Sequence, residues 1–339
     1  LSSDAEAMTM TWEVFVTRPI PEPGLSLLRA HCRVTLRENR KIPTREEIVA
    51  GVRDKDAILC LLTDPIDRSV IDAAGPRLKV ISNYAVGFDN IDVAYATQQG
   101  IVVTNTPGVL TETTADLAWA LLMAAARRIV EADRFTRAGL YEGWDPMLLL
   151  GWDVHGKTLG IVGLGRIGQA VARRARGFQM RVLYYDTYRP PPEVERELGV
   201  TYVDFDTLVR ESDFISIHTP LTPETRHMFN AEVFRRMKPT AILVNTSRGA
   251  VIDEAALVEA LRERRIAYAA LDVFEHEPAL TPGMAELDNI VIVPHIGSAS
   301  LETRAKMAEL AAANILAVMN GQRPPHLVNP EVWDRRRKA

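Results

Sequence analysis

Three polar residues stand where short apolar runs end: Arg248 in Asn245-Thr246-Ser247-Arg248-Gly249, Glu277 in Phe274-Glu275-His276-Glu277-Pro278, and His295 in Pro294-His295-Ile296-Gly297-Ser298. Their chemistries are complementary. Reducing a 2-oxo acid requires that the carboxylate be held, the carbonyl polarised and a proton delivered to oxygen as hydride reaches carbon. Arginine is always charged and forks onto paired oxygens, which suits the first two tasks. Histidine can deliver the proton near neutral pH, and a glutamate beside it favours the acid form and fixes which ring nitrogen faces the substrate. Each residue also has a plainer reading. With 40 Lys and Arg in 339 residues, a solvated surface arginine is ordinary, and a histidine inside a Val, Pro, Ile run is ordinarily a satisfied core residue. His218, closing Phe214-Ile215-Ser216-Ile217, stands in an equivalent place and is given no catalytic role.

A second constellation is Gly163-Leu164-Gly165-Arg166-Ile167-Gly168, which follows a strand-like run at 158–162 and opens a helix-like stretch at 166–176. Alone the pattern is weak, because glycines serve many turns. Between a strand and a helix it reads as a dinucleotide loop: one glycine for the turn, one for close approach of a pyrophosphate, one for helix–strand packing, with the first helical N–H groups facing the anion. Asp186 closes the next strand-like run, about twenty residues on, where an acid accepts from the adenosine ribose 2′-hydroxyl. It repels a 2′-phosphate and so favours NAD(H). Arg189, three residues later, can pair with that phosphate, which keeps NADP(H) open.

These residues need a sheet to carry them. Strand-like runs at 14–17, 57–62, 79–85 and 101–106 alternate with helical stretches, among them a capping-box start at Thr44 and Glu47. A long helix from Thr113 to about Phe135 follows, apolar nearly all round, and then a linker-like segment from Gly139 to Gly156. A second alternation holds six strand-like runs, matching a doubly wound dinucleotide domain. A last helix, about Ser300 to Asn320, comes too late for that sheet. The fold class expected is α/β, with two doubly wound parallel-sheet domains. A Rossmann dinucleotide domain, 107–294, is inserted into a flavodoxin-like substrate-binding domain built from 12–106 and 295–330. Residues 1–11 and 331–339 read as disordered tails, the basic run Arg335-Arg336-Arg337-Lys338 as a frayed, solvated end.

Composition narrows the function. The chain has 47% hydrophobic and 25% charged residues, and 40 basic against 44 acidic residues leave a net charge of −4. No global field recruits nucleic acid or an anionic membrane. No segment is apolar for long enough to cross a bilayer, and the first residues lack the pattern of a signal peptide. Two cysteines, Cys32 and Cys60, lie in apolar stretches, which reads as buried thiols in a reducing, cytoplasmic setting. No metal-binding cluster is expected.

The motifs in order resemble the D-2-hydroxyacid dehydrogenase family, in its glyoxylate and hydroxypyruvate reductase branch. They run from Asn83-Tyr84-Ala85-Val86-Gly87-Phe88-Asp89-Asn90-Ile91-Asp92 through NTPGVLTETTADLAWALL, GKTLGIVGLGRIGQAVARR, HTPLTPETRHMFN, NTSRGAVIDEAAL and LDVFEHEP to VPHIGSAS. The resemblance implies that Arg248 binds and polarises substrate, Glu277 supports the histidine and His295 is the acid/base. It implies that Val86 and Gly87 offer N–H groups to the carboxylate, with Leu62 lining the pocket. Thr114, Thr187, Tyr188, Thr219, Pro220, Thr225, Thr246, Ser247, Asp272 and Gly297 would join the glycine loop, Asp186, Arg189 and His295 around the cofactor, Asp272 at its carboxamide. Trp144 looks like the aromatic that reaches the partner's active site in a homodimer. The glutamate at 277 argues against formate oxidation, since formate dehydrogenases of the superfamily carry glutamine there. The implied activity is NAD(P)H-dependent reduction of glyoxylate and hydroxypyruvate. Alternatives are a 2-ketogluconate reductase, a short D-3-phosphoglycerate dehydrogenase and an NAD(H)-sensing corepressor.

Overall fold

The structure is a computed structural model and describes residues 11–338. The first ten residues of the expected N-terminal tail lie outside the described residues. The chain divides into two compact units, one spanning Thr111–Ser298 and the other made of the residues up to Leu110 together with those from Ala299 onward.

In the discontinuous unit, β1 (Glu13–Val16), α1 (Glu22–His31), β2 (Arg33–Leu36), α2 (Arg45–Val52), β3 (Ala57–Leu61), α3 (Arg68–Ala74), β4 (Val80–Tyr84), α4 (Val93–Gln98) and β5 (Val102–Thr104) alternate. All five strands are parallel in the order β2-β1-β3-β4-β5, the flavodoxin-type order. Local signals set the helix starts: Thr44 and Glu47 form the capping box of α2, and Asp67 and Asp92 cap α3 and α4.

The inserted unit begins with α5 (Thr111–Ala126) and α6 (Ile129–Arg137). It continues through β6 (Thr158–Val162), α7 (Arg166–Ala175), β7 (Arg181–Tyr185), α8 (Pro192–Leu198), β8 (Val200–Tyr202), α9 (Phe205–Glu211), β9 (Phe214–Ile217), α10 (Ala231–Arg236), β10 (Ile242–Asn245), α11 (Glu254–Arg262), β11 (Tyr268–Leu271) and β12 (Ile290–Ile292). Its parallel sheet runs β12-β11-β10-β9-β6-β7-β8, the Rossmann order extended by a seventh strand. Trp119 of α5 stacks on Phe178 at 4.8 Å and donates its indole N–H to the Val171 carbonyl at 3.1 Å, so the apolar α5 is core to its own unit.

The chain then returns to the first unit as α12 (Leu301–Met319), which packs on α1 and β4. The Ser82 hydroxyl donates to the Ala311 carbonyl at 2.8 Å, and the Tyr84 hydroxyl to that of Arg304 at 2.7 Å.

The structure corrects four expectations. The long helix from Thr113 is broken. Arg128 takes a left-handed conformation (φ 53°), and the Ala126 carbonyl accepts from Trp152 N at 2.9 Å, where Gly151 approaches so closely that a Cβ would lie 2.2 Å from that oxygen. Two strands were missed, β2 and β8, both short edge strands without a buried apolar run. His295 lies inside the inserted unit, whose limits are Thr111 and Ser298, because the loop after β12 stays bonded to Asp272. Residues 331–338 are not frayed. A 3₁₀ turn spans Pro330–Arg335, Arg336 lies 3.7 Å over the Trp333 ring, and Arg337 donates to the carbonyls of Gly75 and Leu78 at 3.0 and 2.9 Å. Among the described residues no helix is long and apolar enough to cross a membrane.

Candidate active site

The carboxyl ends of β10, β11 and β12 bring Arg248, Asp272, Glu277 and His295 together in the inserted unit. Asn245, fully buried at the end of β10, builds the turn that carries Arg248. Its Oδ1 accepts from Ser247 N and Oγ at 3.0 and 2.9 Å, and its Nδ2 donates to the Arg248 carbonyl at 3.0 Å. The next residue must be glycine. A Cβ on Gly249 would sit 1.9 Å from the Phe274 carbonyl carbon, so this turn is pressed against the loop that carries Glu277. Sequence reasoning missed Asn245 and Gly249 as site residues. Their only signal is their place beside Arg248.

His295 Nδ1 and Glu277 Oε2 lie 3.0 Å apart. The carboxylate is placed to accept an Nδ1–H, and Nε2 is the ring nitrogen that Glu277 does not engage. Glu277 is itself fixed by Phe274 N, which donates to Oε1 at 3.1 Å. Burial alone would push its carboxyl up, but the hydrogen bond and charge of His295, the Phe274 N–H and the Arg248 charge outweigh it, and the group titrates below its ordinary range. His295 adopts φ 53°, uncommon for a non-glycine residue and a conformation that surrounding contacts must impose. Those contacts come from Asp272. Its carbonyl accepts from His295 N at 2.9 Å, and its carboxylate oxygens accept from Ile296 N at 2.6 Å and Gly297 N at 2.9 Å.

His218 differs in kind. Desolvation pushes its pKa down to about 4, and its Nε2 lies 2.7 Å from Ser216 Oγ, so it is a neutral ring at neutral pH.

The glycine loop runs from β6 to α7. A Cβ on Gly163 (φ 92°) would meet the His218 carbonyl oxygen at 2.6 Å, and one on Gly168 the Gly163 carbonyl oxygen at 2.1 Å, so both are glycine for internal reasons. Gly165 is different. A Cβ there meets nothing within 4 Å, and Gly165 caps α7 without a side-chain hydrogen bond, so open space faces the first N–H groups of a ten-residue helix. Thr246 Oγ1, buried at the end of β10, has no protein partner. Open space over a helix start and an orphaned buried hydroxyl fit a bound dinucleotide. Asp186 Oδ2 accepts from Leu164 N at 2.7 Å, tying the end of β7 to the loop. Thr225 braces its turn by donating to the Pro220 carbonyl at 2.7 Å, and Thr114 lies beside Gly297.

Leu62, Val86 and Gly87 belong to the other unit. Leu62 and Val86 are exposed, and an amide pair joins their loops. Asn83 Nδ2 donates to the Gly87 carbonyl at 2.9 Å and to Asn90 Oδ1 at 3.0 Å, and Asn90 Nδ2 donates to the carbonyls of Leu61 and Asp64 at 3.1 and 3.0 Å. Trp144 is 84% exposed on the segment between α6 and β6, with Met147, Leu140, Tyr141 and Leu150 exposed beside it in sequence. Among the described residues no cluster of His, Cys, Asp and Glu is arranged to hold a metal.

Comparison with known proteins matches this frame. The family model described as "D-isomer specific 2-hydroxyacid dehydrogenase, NAD binding domain" matches residues 119–297. A glyoxylate reductase of Korarchaeum cryptofilum is 58% identical over 322 residues, 94% of this chain and 96% of that protein. A solved structure from Thermus thermophilus superposes with a TM-score of 0.88 at 47% identity, over 93% of this chain and 99% of that one. The NADPH-dependent glyoxylate/hydroxypyruvate reductase of Sinorhizobium meliloti, solved with NADP and malonate, gives 0.83 at 33% identity over 96% and 99%. With a parallel-sheet unit of Rossmann order, a strand-end Arg/Glu/His set and this similarity along nearly its whole length, the chain belongs to the D-isomer specific 2-hydroxyacid dehydrogenases.

Proposed function

We propose that this chain reduces glyoxylate to glycolate and hydroxypyruvate to D-glycerate with NAD(P)H, the inserted unit taking the cofactor and the discontinuous unit the substrate. The observation that carries the reading is the 3.0 Å contact between His295 Nδ1 and Glu277 Oε2 at the strand ends that also carry Arg248. The bound nicotinamide supplies the hydride. Arg248 holds the substrate carboxylate and draws electron density from the carbonyl, and in the discontinuous unit Leu62, Val86 and Gly87 are assigned to substrate binding. His295 gives its Nε2 proton to the carbonyl oxygen as that oxygen gains charge. Glu277 keeps the ring oriented.

Asp186 supports NAD(H) as the preferred cofactor, held by the glycine loop and by Thr246 and its neighbours. The exposed apolar segment around Trp144 supports a homodimer in which that segment is covered by a second copy. Two free, buried cysteines support a cytoplasmic location. The test is oxidation of NADH and of NADPH across a panel of 2-oxo acids. Turnover is expected with glyoxylate and hydroxypyruvate, and faster with NADH. Activity confined to 2-ketogluconate or a phosphorylated 2-oxo acid would overturn the substrate assignment.

A further inference from the structure

We propose that Glu195 sets the cofactor preference of this chain by keeping Arg189 from a 2′-phosphate, an inference that deepens the NAD(H) reading above and rests on it. Arg189 lies on the connection from β7 to α8, three residues beyond Asp186. In a doubly wound dinucleotide unit this stretch meets the adenosine ribose, and an arginine there is the group that accommodates a 2′-phosphate. Here the guanidinium already has an anion. Arg189 Nε lies 2.7 Å from Glu195 Oε1 and Nη2 lies 3.1 Å from Oε2, a bidentate pair. The Arg189 guanidinium carbon also sits 5.0 Å from the centre of the Tyr202 ring.

Exposed ion pairs contribute little on their own. This one has a fixed half. The Tyr184 hydroxyl donates to Glu195 Oε1 at 2.6 Å, and Tyr184 is fully buried in β7 with its ring edge-on to Tyr202 at 5.5 Å. The Glu195 side chain is 13% exposed, against 58% for Arg189. The carboxylate is thus anchored to the sheet, and the arginine is the mobile partner that must choose. Asp186 and Glu195 then act on a 2′-phosphate in different ways, Asp186 by direct repulsion and Glu195 by holding the cation that would offset that repulsion.

The test reads binding rather than turnover. Dissociation constants for NAD+, NADP+ and adenosine 2′,5′-bisphosphate are measured by titration calorimetry on the wild type, Glu195→Gln, Arg189→Ala, the double variant and Asp186→Ala. Glutamine keeps an acceptor oxygen for Tyr184 but has no charge for Arg189. Glu195→Gln is expected to bind NADP+ and the bisphosphate on the order of tenfold more tightly, the value of one charge-assisted hydrogen bond, with NAD+ unchanged. Adding Arg189→Ala should remove that gain. Arg189→Ala alone should leave NADP+ affinity at the wild-type value, because the guanidinium is already taken, and this holds even if Glu195→Gln fails to fold. NADP+ weakened by Arg189→Ala alone, no tightening in Glu195→Gln, or tightening that survives loss of Arg189 would each overturn the inference. The NAD(H) reading is judged separately. NAD+ affinity undiminished in Asp186→Ala would remove Asp186 as the ribose ligand whatever Glu195 does.

Discussion

Asp272 is 1% exposed, and its two carboxylate oxygens accept the backbone N–H groups of Ile296 and Gly297, which follow His295 directly. Burial pushes its pKa up to about 6. The two N–H groups and the His295 charge pull it back, and the Glu277 charge adds to the rise. A carboxyl whose folded pKa lies above its unfolded value binds its proton more tightly when folded. Its ionised form therefore costs stability above pH 6, and the cost is relieved as pH falls from 6 towards about 4. The His295 loop has the opposite requirement, because the ionised carboxylate is the better acceptor for both N–H groups. We predict an acid limb near pH 6 in kcat/KM for glyoxylate, and its loss in Asp272→Asn, with a lower plateau because a carboxamide offers one acceptor oxygen. An unchanged acid limb in that variant would assign the titration elsewhere. Glu277, held below its ordinary range, adds no limb in the same window. His295→Ala removes the proton donor and should lower kcat by about a hundredfold or more while NADH binding persists. Near-wild-type turnover would end the acid role.

The turns after β10 and β11 work as one piece, because Gly249 and Phe274 touch backbone to backbone. Gly249→Ala must push the Phe274–Glu277 loop away, at about 1–3 kcal/mol of overpacking, and should lower kcat at saturating cofactor with little change in NADH affinity. Wild-type kcat in a folded Gly249→Ala variant would show that the loop position is not critical. Such contacts explain which elements and site residues could be read from sequence. β3, β4, β6, β9 and β10 are buried, mostly apolar runs because the sheets are covered on both faces, and the glycine loop is legible because it sits between one such run and a helix. β2 and β8 are edges with one neighbour each and carry no such run. The break after α5 depends on Trp152 N reaching the Ala126 carbonyl, and the Asn83–Asn90 pair on two loops meeting. Neither leaves a local trace beyond an Arg127-Arg128 pair or two asparagines.

Across the whole molecule, the inserted unit is one unbroken run of sequence and the other unit is not. The core of the discontinuous unit needs Met307, Ala308, Ala311, Ala312 and Ile315, all from α12, which follows the inserted unit in the chain. The sheet edge at β5 is also completed late. Asn329 Oδ1 accepts from Val103 N at 2.9 Å, its Nδ2 donates to Thr97 Oγ1 and the Ile101 carbonyl, and Val328 N donates to the Val103 carbonyl at 2.8 Å. A segment from the chain's far end thus occupies groups that an edge strand would otherwise present for pairing. Arg337 fastens it. Its backbone N–H donates to the Gly100 carbonyl at 2.9 Å while its guanidinium bonds the Gly75 and Leu78 carbonyls, and burial lowers its pKa from the ordinary arginine value. Arg337→Ala deletes the guanidinium's hydrogen bonds and should cost about 1–3 kcal/mol, local to this unit. Amide hydrogen exchange checks the locality. Exchange at Gly75–Lys79 and Gly100–Thr104 should accelerate, while amides in Thr111–Ser298 keep their protection. Unaltered protection along β5 would mean that Val328 and Asn329 secure the edge without Arg337, and faster exchange spread evenly through both units would mean that Arg337 acts on global stability rather than on one seam.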